Sequence, residues 1–258
     1  MDSVNTELAG LEQVIKRLQQ AKRVLFITGA GISADSGLPT YRGIGGLYND
    51  QHTDEGMPIE VALSGEVMRR TPGVTWKYLA QIEAACRAAR PNAAHEAIAH
   101  LQQHCPVTVL TQNIDGFHHR AGSEDVIEIH GNLFDLYCPR CGHEETVADY
   151  SGLTGLPPSC PECSHWLRPR VVLFNEMLPE KALAHLYATT EEGYDVVFSI
   201  GTTSVFPYIA HPFVRARHIG ALSVEINPAD TQVSDSAHLR WRCGAAAALT
   251  QLMAKLVA

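Results

Sequence analysis

No stretch of this 258-residue chain approaches the 18 uninterrupted apolar residues that a membrane-spanning helix needs, and its first residues are acidic and polar where a secretory leader would be basic and then apolar. No membrane partner is expected, and the expected location is cytoplasmic. Positive charge is also short. Twenty Lys and Arg stand against 28 Asp and Glu, a formal net charge of −8 at pH 7, with no long run of one sign. Such a chain has no basic field to hold a phosphodiester backbone, which argues against nucleic acid as a general partner. Internal repeats and low-complexity segments are absent. So is the even cysteine count of a disulfide framework: there are seven cysteines, four of them in two Cys-x-x-Cys pairs. In a reducing compartment that pattern points to metal before disulfides.

What is present is an ordinary globular composition, long enough for a full core. Apolar runs at 24–27, 107–110, 126–129, 171–174, 195–200 and 222–226 read as buried parallel strands. Between them, helical spacing covers 5–20, 74–89 and 179–190, a helix opens after a cap at Asn92, and an Ala/Leu-rich helix runs from 245. The fold class is α/β, a doubly wound parallel sheet.

The first strand runs into Thr28-Gly29-Ala30-Gly31-Ile32-Ser33-Ala34. Gly29 and Gly31 allow a close backbone approach, and Ser33, Asp35 and Ser36 offer helix-capping oxygens, so the turn suits a phosphate. Gly29-x-Gly31-x-x-Ala34 also fits the loose dinucleotide fingerprint, although the same text serves a plain strand-to-helix connection. Polar clusters follow later strands as well: 111–116 after the second, His130-Gly131-Asn132 after the third, and 201–204 after the run at 195–200. Open α/β sheets place ligands outside the carboxyl ends of their strands.

Cys138, Cys141, Cys160 and Cys163 form two knuckles with 18 residues between the pairs. Four thiolates can surround Zn²⁺ and leave no open position for water, so this zinc is structural. A redox dithiol is the competing reading, but two pairs without a thioredoxin-like βαβ context weigh against it.

Taken together, the block from Gly29 to Arg42, Thr111-Gln112-Asn113-Ile114-Asp115, Ile129-His130-Gly131 and the four-cysteine pattern resemble the sirtuin family of NAD-dependent protein deacylases, in its bacterial form. Fainter matches lie at 171–176, 201–203 and 226–228. The resemblance implies a Rossmann-like domain from 1–43, 87–136 and 171–258, a cofactor loop and helical module at 44–86, and a zinc-binding module at 137–170. It implies NAD as co-substrate beside the structural zinc. Gly29, Ala30, Gly31 and Ser33 would cradle the pyrophosphate, with Tyr41 and Arg42 beside the nicotinamide ribose. Gln112 would hold ribose hydroxyls, and Asn113, Ile114 and Asp115 would line the nicotinamide pocket. Gly201, Thr202, Thr203, Asn227 and the backbone of Cys243 would hold the adenosine half.

The implied reaction yields deacylated lysine, nicotinamide and O-acyl-ADP-ribose. Asn113 and His130 would be catalytic. His130 is the general base for a ribose hydroxyl, in the pKa range suited to neutral pH. Acyl-lysine proteins would be the partners of a monomeric enzyme, their peptide pairing with Val172, Leu173 and Phe174 beside Asn175. Asn175 departs from the family's usual Gly and is expected to crowd the peptide or to bond to it. Tyr41 replaces the usual Phe, and the turn after Thr203 reaches Pro207 one residue early. Members that prefer acidic acyl groups carry Tyr-x-x-Arg, whereas this chain has Tyr78-Leu79-Ala80-Gln81, so acetyl or another uncharged acyl group is expected. Rival readings are a protein ADP-ribosyltransferase, a non-catalytic NAD sensor and a zinc-ribbon nucleic-acid protein.

Overall fold

The computed structural model describes residues 8–39 and 53–257. Its strands are β1 (Val24–Thr28), β2 (Val107–Thr111), β3 (Asp125–Glu128), β4 (Gly131–Tyr137), β5 (Glu144–Thr146), β6 (Arg168–Val171), β7 (Val196–Ile200), β8 (Leu222–Ile226) and β9 (Leu239–Trp241). Its helices are α1 (Leu11–Gln20), α2 (Ile59–Ala62), α3 (Gly65–Arg70), α4 (Pro72–Ala88), α5 (Ala93–Leu101), α6 (Phe117–Ala121), α7 (Glu180–Glu192), α8 (Pro207–His218) and α9 (Ala245–Leu256). Six strands form one sheet in the order β3-β2-β1-β7-β8-β9, and every pairing in it is parallel. The order reverses at β1 and β7. A crevice therefore opens at their carboxyl ends, because the following connections leave in opposite directions.

Every residue of β1, β2, β7 and β8 is buried, as expected of strands covered on both faces. Alternate side chains feed two cores. Val24, Phe26, Val109, Phe198 and Val224 pack with Val14 and Leu18 of α1, Ile98 of α5 and Leu249 of α9. Leu25, Ile27, Leu110 and Val197 pack instead with Leu186 of α7 and with Ile209 and Phe213 of α8. In-register pairing stacks Phe26 on Phe198, with ring centroids 4.6 Å apart.

A third core belongs to the smaller lobe. Leu63, Met68, Trp76, Leu79 and Cys86 of the helical segment pack against Leu133, Leu136, Tyr150, Leu167 and Leu173. Two hydrogen bonds tie this core to backbone: Trp76 Nε1–H to Leu167 C=O at 2.9 Å, and Tyr150 O–H to Leu133 C=O at 2.6 Å. The antiparallel sheet β5-β4-β6 carries its second half.

Three expectations change. The apolar run at 171–174 is not a strand of the main sheet; its first residue ends β6 in the small sheet, and Phe174 bridges to Ser64 of the helical segment. Apolarity there serves the third core. The turn after β1 does not open an α-helix but makes two short 3-10 turns, Ala30–Ile32 and Ala34–Ser36. Ser33 makes no capping bond there, and Asp35 instead accepts from Ala246 N–H at the start of α9. Finally, residues 8–10, expected to be helical, form a turn before α1, with Leu11 N–H donating to Leu8 C=O, and residues 5–7 of that expected helix lie outside the described residues.

Asn92 caps α5 as its residue type predicts, its Oδ1 accepting from Ala94 N–H at 2.9 Å. Its Nδ2 also donates to Ile32 C=O at 2.8 Å and to Ser36 Oγ at 2.9 Å, so one side chain joins the helix to the small-residue turn. Asn92→Ala should lose about 1–2 kcal/mol of stability, an N-cap and its ties together, read by chemical denaturation.

Candidate functional site

The two turns at the crevice meet without side chains between them. Gly31 N–H donates to Gly201 C=O at 2.8 Å, and Gly29 N–H to Ile200 C=O at 3.1 Å. A Cβ on Gly31 would stand 2.6 Å from Gly201 Cα, and Gly201 itself has φ +58°. Only glycine at both places lets these backbones touch. Thr202 fills the adjoining space, its Oγ1 accepting from Gln112 Nε2 at 2.8 Å and from Ser204 N–H at 3.1 Å. Thr203 C=O accepts from Gln232 N–H, Asn227 Nδ2 donates to Thr202 C=O at 3.2 Å, and Cys243 N–H donates to Trp241 C=O at 3.0 Å. The carboxyl ends of β7, β8 and β9 thus form one linked rim.

On the other side of β1 lies a buried polar cluster. Ser33 Oγ donates to Asp115 Oδ2 at 2.7 Å, while Asn113 Nδ2 donates to Gly29 C=O at 3.1 Å and to Ser33 Oγ at 3.2 Å. Asp115 Oδ1 accepts from Phe117 N–H at 2.9 Å. Burial raises the Asp115 pKa above the usual carboxylate value, against these hydrogen bonds, which favour the ion. Asn113 Oδ1 is buried with no hydrogen-bond partner. A buried acceptor without a donor calls for a donor from a ligand or a water. Ile114 packs at the edge of the third core, and its C=O accepts from Leu133 N–H.

His130 sits between the lobes, immediately before β4. Its Nδ1 lies 3.1 Å from Gln112 C=O, an acceptor only, so Nδ1 carries the proton and Nε2 keeps the lone pair. Nε2 lies 2.8 Å from Tyr208 Oη, which therefore donates to it. Burial lowers the His130 pKa, the Gln112 carbonyl working the other way. The next residue, Gly131, has φ +72°, and a Cβ there would strike Arg170 C=O at 1.6 Å. That crossing lets the chain bend from the main sheet into the small lobe with His130 at the bend.

The segment after β6 passes the same histidine. Val172 N–H donates to His130 C=O at 2.8 Å, Phe174 N–H donates to Leu63 C=O at 3.0 Å, and Gly65 N–H to Phe174 C=O at 3.1 Å. Arg168 holds the segment from inside through two bonds to Glu176, Nη1 to Oε1 at 2.7 Å and Nη2 to Oε2 at 2.9 Å. Glu176 Oε2 also accepts from Leu173 N–H at 3.0 Å. These contacts keep Glu176 ionised despite burial, which opposes them. Asn175 is exposed with φ +64°, a conformation that Asn tolerates better than other side chains.

The four cysteine sulfurs lie within 4.8 Å of one another. Sγ atoms of Cys138 and Cys163 are 3.5 Å apart, as are those of Cys141 and Cys160. A zinc tetrahedron with sulfur bonds of about 2.3 Å has edges of about 3.8 Å, so the donors fit. Both knuckles have one design: Cys138 C=O accepts from Gly142 N–H and its N–H donates to His143 C=O, while Cys160 does the same with Ser164 and His165. The sulfurs are positioned to hold a structural zinc.

The Sir2 family model matches residues 29–207. The chain belongs to the Sir2 family. It is 56% identical over 225 residues to NAD-dependent protein deacylase 2 of Pseudomonas aeruginosa, covering 86% of this chain and 88% of that one. It is 50% identical to NAD-dependent protein deacylase 2 of Pseudomonas syringae, covering 95% and 99%. A Sir2 homologue solved as an NAD complex superposes with a TM-score of 0.84 at 32% identity, covering 95% of this chain and 93% of that one.

The Sir2 fold thus brings Gly29, Gly31, Ser33, Gln112, Asn113, Asp115, Gly201, Thr202 and His130 into one hydrogen-bonded neighbourhood. Ala30 lies in the first 3-10 turn of the same loop. Tyr41 and Arg42 lie outside the described residues. Tyr208 and Arg168 were missed by sequence reasoning. The early Pro207 was the one signal for the first; the second reads as an ordinary basic residue beside β6.

Replacing Cys141 with Ser should remove about one equivalent of bound zinc and lower the melting temperature, whereas Cys105→Ser, at a buried cysteine of the first core outside the four-sulfur cluster, should keep its zinc; metal analysis and thermal melts read this. Glu176→Ala should cost about 3 kcal/mol, because it leaves Arg168 buried and unpaired, measured in the same denaturation assay as the native protein.

Proposed function

We propose that this Sir2-family chain is an NAD-dependent protein-lysine deacetylase, releasing deacylated lysine, nicotinamide and O-acetyl-ADP-ribose. The observation that carries the reading is His130: its proton is fixed on the Gln112 side, its basic nitrogen is free of any carbonyl, and an extended segment bonds to its own C=O. A base and a peptide-binding edge therefore adjoin the crevice at the sheet's reversal. A pure NAD sensor needs neither.

NAD, when bound, supplies a ribose carbon made electrophilic by loss of nicotinamide. The chain's residues bind and orient it. Gly29, Ala30 and Gly31 would hold the pyrophosphate, with Ser33 beside them. Asn113, Ile114 and Asp115 line the nicotinamide side, and the donorless Asn113 Oδ1 suits a group that brings a proton. Gln112, Tyr41 and Arg42 serve the ribose. Gly201, Thr202, Thr203, Asn227 and the Cys243 backbone serve the adenosine half. His130 then takes a proton from a ribose hydroxyl.

Val172, Leu173 and Phe174 offer the edge to an acyl-lysine peptide, and Asn175, turned outward in a left-handed conformation, lies beside it. For the acyl group, Tyr78 O–H donates to Glu55, and Lys77 is engaged by Asp54 and Glu55. An acidic acyl group would meet a carboxylate there rather than an unpaired cation, which supports acetyl or another uncharged group. The reading includes a monomer acting on acyl-lysine proteins in the cytoplasm, without nucleic acid or membrane, and the division into a Rossmann-like domain, a helical module and a zinc module. Among the described residues no helix is long and apolar enough to cross a membrane.

Incubation with NAD and acyl-lysine peptides should release nicotinamide and deacetylated peptide in equal amounts, with succinyl peptides at least about tenfold slower; modified protein without O-acetyl-ADP-ribose would indicate an ADP-ribosyltransferase instead. His130→Ala should cut deacetylation by about 10²–10⁴-fold. Because burial disfavours the imidazolium, the base stays competent as pH falls, and the acid limb of the rate profile should lie below 6.5.

A further inference from the structure

His130 has one lone pair to offer, and a tyrosine already holds it. Among the described residues, Tyr208 Oη is the hydrogen-bond partner of Nε2, while Nδ1–H is spent on Gln112 C=O. Tyr208 is itself held in place. Its ring stacks on Phe206, with centroids 5.4 Å apart and planes 13° apart, and both rings stand edge-on to the imidazole at 6.1 Å. Pro207 at the start of α8 sets the turn between the two aromatics. Tyr208 is the second residue of α8, so the start of that helix brings its hydroxyl to the histidine.

We propose that Tyr208 relays the proton from the ribose hydroxyl to His130. This rests on the deacylase reading. As the ribose O–H bond breaks, its proton joins Tyr208 Oη, and the Tyr208 proton passes to Nε2. The ribose oxygen keeps the electron pair. Tyr208 ends neutral, and His130 ends as an imidazolium with Nδ1–H on the Gln112 carbonyl. A hydroxyl can do this because it donates one hydrogen bond while accepting another. Burial pushes the Tyr208 pKa up to about 12, so the donor stays protonated at working pH. Phe206 and Tyr208 together also cover one side of the base with apolar surface.

The test has two parts. Nitrogen NMR of His130 in the protein without NAD should show the neutral ring with its proton on Nδ1; a proton on Nε2 overturns the relay. Tyr208→Phe keeps the ring stack and removes only the hydroxyl. Nicotinamide leaves before the base acts, so NAD–nicotinamide exchange should stay within about twofold of wild type while deacetylation falls about tenfold, below the full contribution of a general base. A fall in deacetylation of less than about threefold, or an equal fall in both activities, overturns the relay and leaves the deacylase reading standing. Wild-type protein that releases no nicotinamide with NAD and acetyl peptide overturns the deacylase reading itself, and the relay with it.

Discussion

Backbone contact between Gly31 and Gly201 is the constraint on which the site depends. The two turns end neighbouring parallel strands, and hydrogen bonds hold them at a distance no Cβ would permit. Their approach keeps side chains out of the place where the two turns meet. It also sets what stands around that place. Asn113 reaches across to Gly29 C=O and Gln112 reaches Thr202, so the residues after β2 are registered to the turns of both β1 and β7. The buried Ser33–Asp115 bond then fixes the far side of the turn.

A second dependence links the lobes. Cys-knuckle and helical segments are far apart in sequence, yet they share one core, with Trp76 bonded to Leu167 C=O and Leu63 bonded to Phe174. Zinc binding at the four sulfurs stabilises the smaller half of that core. The Arg168–Glu176 pair carries the effect to the segment beside His130. Loss of zinc would therefore loosen the segment at 172–176 before it disturbed the main sheet.

Much of this was legible in the residues. Fully apolar runs marked β1, β2, β7 and β8 because both faces of each strand are covered, and Asn92 marked the start of α5 because an Asx oxygen satisfies an otherwise orphaned N–H. The four cysteines were legible because zinc geometry constrains their spacing. The run at 171–174 misled, since apolarity reports burial and not which core receives the side chain. The turn after β1 misled in another way. Small residues and capping oxygens announce a helix, but Asp35 and Ser36 spend their side chains on α9 and on Asn92.

The sequence by itself determined the sheet's core strands and the zinc knuckles, because local chemistry forces each of them, while Asn113, Asp115 and His130 were marked only by the resemblance to a known family. Only the tertiary structure decided what these groups face. The proton of His130 sits on Nδ1 because Gln112 C=O, 18 positions away, takes it, and the lone pair meets a hydroxyl because α8 begins where Pro207 starts it. Contacts of that kind span 18 and 78 residues along the chain, and no local pattern encodes them. The glycine turn announced a phosphate. The partners packed around it decide which chemistry follows.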